Sequence, residues 1–192
     1  GLSMNVAAAE ITRCVLERDD KVRILDADAL NIIAGEHIDY KGSREGQIII
    51  TPHIMEMSRL TGKTVADIKE HMIESAKEYA IQHSCICILK DARTVVTDGQ
   101  KVYINCTGND GMSTGGCGDV LTGLIAGMTA MGLDAFEAAC LSVYVHGKAG
   151  DYAASGKGRA GMTAADISEA IAYVLKLSLI HISEPTRLGM IS

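Results

Sequence analysis

At 192 residues, with 47% hydrophobic and 22% charged residues, the chain has the make-up of one globular domain with a substantial core. Its formal net charge of −6 argues against a nucleic-acid surface, where a basic patch is the rule, and no run of about 18 apolar residues offers a membrane span. Six cysteines without a C-x-x-C pair read as buried free thiols of a reducing cytoplasm, not as a disulfide or metal framework.

The first helix is predicted from an N-cap at Ser3 to about Arg18, with Val6, Ala7, Ile11, Cys14 and Val15 inward. Val22 to Leu25 reads as a short buried strand running into a polar connection, Asp26-Ala27-Asp28-Ala29-Leu30-Asn31. In an α/β sheet such a stretch lies where ligands collect. Asp28 and Asn31 are equally explained as turn and capping residues, and the two carboxylates would suit a hydrated magnesium ion without forming a metal signature. After a polar connection from Asp39 to Gly46, the apolar run Gln47 to Thr51 predicts a strand covered on both faces. It delivers His53, which is either a structural histidine or a ligand contact. Thr64 caps a predicted helix through Val65, Ile68, Met72, Ile73, Ala76 and Ala80. Cys85 to Leu89 is the next buried strand, leading into Lys90-Asp91-Ala92-Arg93-Thr94 and a hairpin that turns at Asp98-Gly99. Lys90 and Arg93 either meet phosphates or form the solvated base of that hairpin.

The densest signal is Asn109-Asp110-Gly111-Met112-Ser113-Thr114-Gly115-Gly116-Cys117-Gly118-Asp119, followed by Val120-Leu121-Thr122-Gly123-Leu124-Ile125. A helix is predicted from about Asp119, with Val120, Leu121, Leu124, Ile125 and Met128 on its buried face. A glycine loop feeding a helix N-terminus offers free N–H groups and a positive dipole end to phosphate. Asp119, an anion placed where an anion binds, is either the N-cap or a general base beside a phosphoryl group. The glycines follow neither the Walker A nor the dinucleotide spacing.

This run resembles the signature of the NAD(P)H-hydrate dehydratases, a branch of the ribokinase-like superfamily, with Cys117 where Ser or Thr is usual. Three other stretches resemble the same family. They are Asp26 to Asn31, near its substrate site; Thr51-Pro52-His53 with Glu56, where Ile54-Met55 replaces Pro-Gly; and Lys90 to Thr94, where Asp91 replaces glycine. The resemblance implies a three-layer α/β ribokinase-like domain with a mostly parallel sheet, incomplete at its N-terminus and covering 1–176. It implies nucleotide contacts at Lys90, Asp91, Ala92, Arg93, Thr94, Thr114, Gly115, Gly116 and Gly118, and substrate contacts at Asp28, Asn31, His53, Asn109 and Asp119. Asp119 is its expected catalytic base.

The implied reaction is repair of hydrated NADH or NADPH. ADP or ATP, with Mg²⁺, phosphorylates the ring hydroxyl, and loss of phosphate restores the reduced ring. A cytoplasmic homo-oligomer is expected, with no nucleic-acid or membrane partner. Two other readings remain: a small-molecule kinase for a thiazole or pyrimidine alcohol, and an inert nucleotide-binding fragment. Asp134 caps a further helix through Ala135, Ala138, Leu141, Val145 and Ala149, on which His146 reads as structural, and Thr163 begins another. Residues 177–192, with Leu177-Ser178-Leu179-Ile180-His181-Ile182-Ser183-Glu184-Pro185, read as translated sequencing adapter, a non-native tail.

Overall fold

The computed structural model describes residues 2–43 and 46–183, with side chains through 176. In chain order the elements are α1 (Val6–Leu16), β1 (Arg23–Leu25), α2 (Asp28–Gly35), β2 (Ile48–Ile50), α3 (Ile54–Thr61), α4 (Val65–Glu70) and α5 (Met72–His83). Then come β3 (Ile86–Leu89), β4 (Val95–Thr97), β5 (Val102–Ile104), α6 (Cys117–Ala130), α7 (Ala135–Lys157) and α8 (Ala164–Ser183). The sheet order is β1-β2-β3-β4-β5. The pairs β1–β2 and β2–β3 are parallel, in register at Ile24–Ile49 and Ile49–Ile86, while the hairpin makes β3–β4 and β4–β5 antiparallel.

The isoleucine runs are apolar at every position because helices cover both faces of the sheet. Ile48, Ile50, Cys87 and Leu89 face a core shared with Leu30, Met57 and Ala80 of α2, α3 and α5. Ile49, Ile86 and Ile88 point the other way, against Leu121 and Ile125 of α6 and Ala139 and Val143 of α7. Ile167, Ala170 and Val174 of α8 close a further cluster with Val145 and Ala149 of α7. The result is a three-layer α/β/α domain. The paired thiols Cys85 and Cys87 are buried and free, and burial pushes Cys85 up to about 12, so both behave as apolar side chains.

The structure corrects several expectations. The first helix is capped by Asn5, whose side chain accepts the Ala8 N–H, and not by Ser3. Its inward side is Ala8, Ala9 and Thr12, while Val6 and Ile11 are exposed. Small residues win because α1 approaches Ile32 of α2 closely, and the Thr12 hydroxyl donates a hydrogen bond to the Ala8 carbonyl. The polar connection after β1 becomes helix α2 from Asp28, entered through Ala27 at φ 51° without a side-chain cap. The single helix predicted after Thr64 is divided into α4 and α5 by His71 at φ −125° and ψ 48°. On α7, Leu141 is exposed where it was expected to pack. In the expected tail, residues 184–192 and the side chains from 177 on lie outside the described residues.

Candidate active site

Parallel pairing brings the carboxyl ends of β1, β2 and β3 to one edge, so Asp26, His53 and Lys90 emerge together. His53 and Lys90 form a parallel bridge, and the Lys90 N–H donates to the Pro52 carbonyl at 2.8 Å. Lys90 Nζ then reaches across to Asp26 Oδ1 at 2.9 Å, and Asp26 Oδ2 accepts the Thr122 hydroxyl of α6 at 3.1 Å. Burial alone would raise the Asp26 carboxyl; the Lys90 charge and the Thr51, Lys90 and Thr122 hydrogen bonds outweigh it and hold the group below its ordinary value. His53 caps α3: its Nδ1 accepts the Glu56 N–H at 3.1 Å, and Glu56 Oε2 accepts the His53 N–H at 2.8 Å.

The glycine loop is held from behind by α7. Asp151 accepts the Gly108 N–H at 3.0 Å and the Asn109 side-chain amide at 3.1 Å, while Asn109 Oδ1 accepts the Gly111 N–H at 3.0 Å. A Cβ on Gly147 would overlap the Thr107 hydroxyl, and one on Gly150 would overlap the Met112 sulfur, so these two glycines let the loop lie directly on the helix. Gly116, at φ 90°, ends the loop and caps α6 with no side-chain hydrogen bond. The first turn of α6 therefore keeps its dipole end uncapped by any side chain, as anion binding requires.

Helix α6 begins at Cys117, two residues earlier than predicted, which puts Asp119 at its third position. The N-cap reading of Asp119 is thereby excluded. The side chain is exposed, and its charge at the helix N-terminus has no structural partner among the described contacts.

A cleft of about 830 Å³ opens beside this turn. Of the expected residues, His53, Lys90, Asp91, Ala92, Arg93, Thr94, Asn109, Thr114 and Gly118 line it, and Gly115 and Gly116 complete the same loop. Asp119, next to Gly118, is not among the residues that line it. Asp28 and Asn31 stand apart from the cleft: Asp28 Oδ2 accepts the Ser3 N–H at 2.8 Å and Asn31 Oδ1 accepts from Arg59 at 2.7 Å. Asn31 and Arg59 border a second depression of about 570 Å³ with Met4, Ala34 and Gly35.

The sequence reading weighed Asp26 only as one of two carboxylates near the substrate site, did not single out Asp151, and treated His146 as a packing residue. His146 lines the cleft, is 9% exposed and leaves Nε2 without a protein hydrogen-bond partner. Burial pushes its imidazole down to about 4, against a backbone contact with Cys117 and with a small contribution from Lys90. The Asp26 and His146 signals were present in the sequence, one as the first acid of a polar strand end and the other as a histidine beside helix glycines. Among the described residues no group of three or more His, Cys, Asp or Glu side chains could hold a metal ion. Asp26 is already taken up by Lys90 and Thr122.

The family model for NAD(P)H-hydrate dehydratase matches residues 1–173. The chain belongs to the NAD(P)H-hydrate dehydratase family. It is 45% identical over 178 residues to the bifunctional NAD(P)H-hydrate repair enzyme of Moorella thermoacetica, covering 92% of this chain and 33% of that protein. It is 34% identical over 172 residues to the ADP-dependent (S)-NAD(P)H-hydrate dehydratase of Neisseria meningitidis, covering 88% of this chain and 58% of that one. Among solved structures, the Bacillus subtilis ADP/ATP-dependent NAD(P)H-hydrate dehydratase co-crystallized with ATP/Mg²⁺ superposes with a TM-score of 0.80 at 31% identity, over 90% of this chain and 60% of that one. The chain thus spans about a third to three-fifths of these dehydratases. The likeness confirms the ribokinase-like, three-layer expectation for the fold. No helix among the described residues is long and apolar enough to cross a membrane.

Proposed function

We propose that this chain carries the nucleotide-binding and phosphoryl-transfer part of an NAD(P)H-hydrate dehydratase. The observation that supports it best is the uncapped first turn of α6, raised on Gly116, beside a cleft that also holds Lys90 and Arg93. Phosphoryl transfer depends mainly on placing and neutralising phosphate charge, and that edge supplies backbone N–H groups, a helix dipole and cationic side chains together. The names of the relatives give the substrate class.

In this reading the phosphates of ADP, or of ATP, lie over Thr114 to Gly118, and the Lys90 to Thr94 segment borders the nucleoside side. Mg²⁺ arrives with the phosphates as part of the substrate. Asp119 takes the proton from the ring hydroxyl of the hydrated cofactor as its oxygen attacks the terminal phosphorus and the nucleotide leaves. The phosphate ester then loses inorganic phosphate and a ring proton, restoring the double bond. With ADP the balance is hydrated cofactor plus ADP giving reduced cofactor, AMP and phosphate. Asp28, Asn31, His53 and Asn109 are proposed on the hydrated-cofactor side, where Asp28 and Asn31 stand off the nucleotide cleft. Six free cysteines suit a reducing cytoplasm as the place of action.

The test mixes hydrated NADH with ADP or ATP and the protein, and follows both regain of the reduced-ring absorbance and release of phosphate. Stoichiometric regain with phosphate release supports the reading. Accumulation of a phosphorylated product without ring regain would instead indicate a small-molecule kinase.

A further inference from the structure

Three parallel strand ends and one helix converge on a single ion pair. Asp26 follows β1, Lys90 follows β3, the Thr51 hydroxyl at the end of β2 supports the carboxylate, and Thr122 reaches it from α6. The pair lies directly under the first turn of α6: a Cβ placed on Gly118 would stand 3.5 Å from Asp26 Oδ2 and 3.6 Å from Lys90 Nζ. Those are ordinary van der Waals distances, so the turn rests close over the two charges.

The side chains are 12% and 24% exposed, so solvent screens them less than a surface pair. Lys90 is also fixed at its backbone, through Pro52 and the bridge to His53. A carboxylate this close to an anion-binding helix end weakens phosphate binding, so its presence calls for another role. Its ionic partner among the described residues is the lysine that faces the cleft.

We infer that Asp26 is a positioning residue. It holds the Lys90 ammonium at the base of the phosphate loop, and it gains that fixed placement at the expense of nucleotide affinity. Lys90 then meets the phosphates of a bound nucleoside diphosphate as one member of a neutral pair, while Asp119 on the neighbouring surface of α6 remains free for the proton. The inference rests on the nucleotide reading of the cleft given above.

The test is ADP binding by calorimetry to the 192-residue chain and to three variants, Asp26→Asn, Lys90→Met and the double change. Asparagine keeps the shape of Asp26 and an acceptor for Lys90, so Asp26→Asn is expected to bind ADP roughly 3- to 10-fold more tightly. Lys90→Met leaves an unpaired carboxylate under the loop and is expected to weaken binding at least about 10-fold. The double variant should return to within about 3-fold of the parent, because removing both charges leaves the site as neutral as the intact pair does. A double variant that binds ADP as weakly as Lys90→Met, or an Asp26→Asn variant that binds ADP no tighter than the parent, overturns the inference.

A measurement on the unmodified chain stands apart from whether the variants fold. The Lys90 ζ-nitrogen resonance, assigned by its loss in Lys90→Arg, should shift on ADP titration and saturate with the calorimetric Kd. An unmoved resonance with ADP bound sinks this inference alone. A parent chain that binds no ADP sinks the nucleotide reading together with it.

Discussion

Replacing Gly147 with alanine is the sharpest packing test of how the glycine loop is held. The new Cβ would overlap the Thr107 hydroxyl and stand 2.8 Å from its carbonyl carbon and 2.9 Å from its Cβ. Carbon atoms settle at about 3.5–4.0 Å, so the Thr107 backbone must retreat by roughly 0.7–1.2 Å. A side-chain rotation cannot relieve this, because the carbonyl carbon itself is in the way. Overpacking of this kind costs about 1–3 kcal/mol, while alanine in a helix regains up to about 1 kcal/mol over glycine. The net stability loss is therefore about 0–3 kcal/mol, with a Tm drop of at most about 12 °C for a chain of this length. The larger effect falls on the ligand, since the moved segment leads straight into the loop that Asp151 clamps. Loss of one charge-assisted hydrogen bond, ~1.5 kcal/mol, is about tenfold in the Kd for ADP. Gly156→Ala on the same helix is the control, because its Cβ meets nothing within 4 Å and should leave ADP binding untouched. The assays are thermal melting and calorimetric ADP titration. Equal ADP affinity for Gly147→Ala and Gly156→Ala would refute the claim that α7 positions the loop.

Three other outcomes follow from named contacts. Asp151→Ala should destabilise the protein by about 1.5–3 kcal/mol and weaken ADP binding, since it frees the Gly108 amide and the Asn109 side chain together; urea unfolding and ADP titration measure the two parts. His53→Ala removes the α3 cap, so Tm should fall by the equivalent of about 1 kcal/mol along with a raised KM, and His53→Asn should restore the Tm more than the KM. His146 titrates at about 4 when folded against about 6.5 unfolded. Between those values the unfolded chain binds a proton that the folded chain refuses, so this contribution is complete above about pH 6.5 and is lost as pH falls toward 4, about 3 kcal/mol in all. Urea midpoints from pH 7.5 to 4.5 should fall less steeply in His146→Asn than in the parent, and parallel slopes would show that His146 does not carry the effect.

The sheet was legible because apolar runs such as Ile48–Ile50 and Ile86–Leu89 have no other stable place than between two helix layers. The glycine loop was legible because only a backbone function explains so many glycines before an apolar helix. Helix α2 was hidden, since Ala27 offers no capping side chain and its left-handed φ leaves no mark in a non-glycine residue. The outward face of α1 misled for a different reason: the helix packs through alanines, and closeness of approach overrode hydrophobicity. In the site, spacing located the strand-end residues but not their pairing. That Lys90 meets Asp26, 64 residues away, and that Asp151 holds Asn109, 42 residues away, depends on strand order and helix packing, which no local pattern carries.

The central claim is that Asp119 is the proton acceptor. Its place in the third position of α6, with Gly116 as the cap, removes capping as its reason for being there. As a carboxylate near a helix N-terminus it still gains about 0.3–1 kcal/mol from the dipole, so Asp119→Asn should cost no more stability than that. ADP affinity should be kept or improved, because the change removes a negative charge near the phosphates. Regeneration of reduced cofactor from its hydrate in the intact protein should fall by about 10²–10⁴-fold in kcat. Turnover by Asp119→Asn at close to the parent rate, with ADP still bound, would contradict the account.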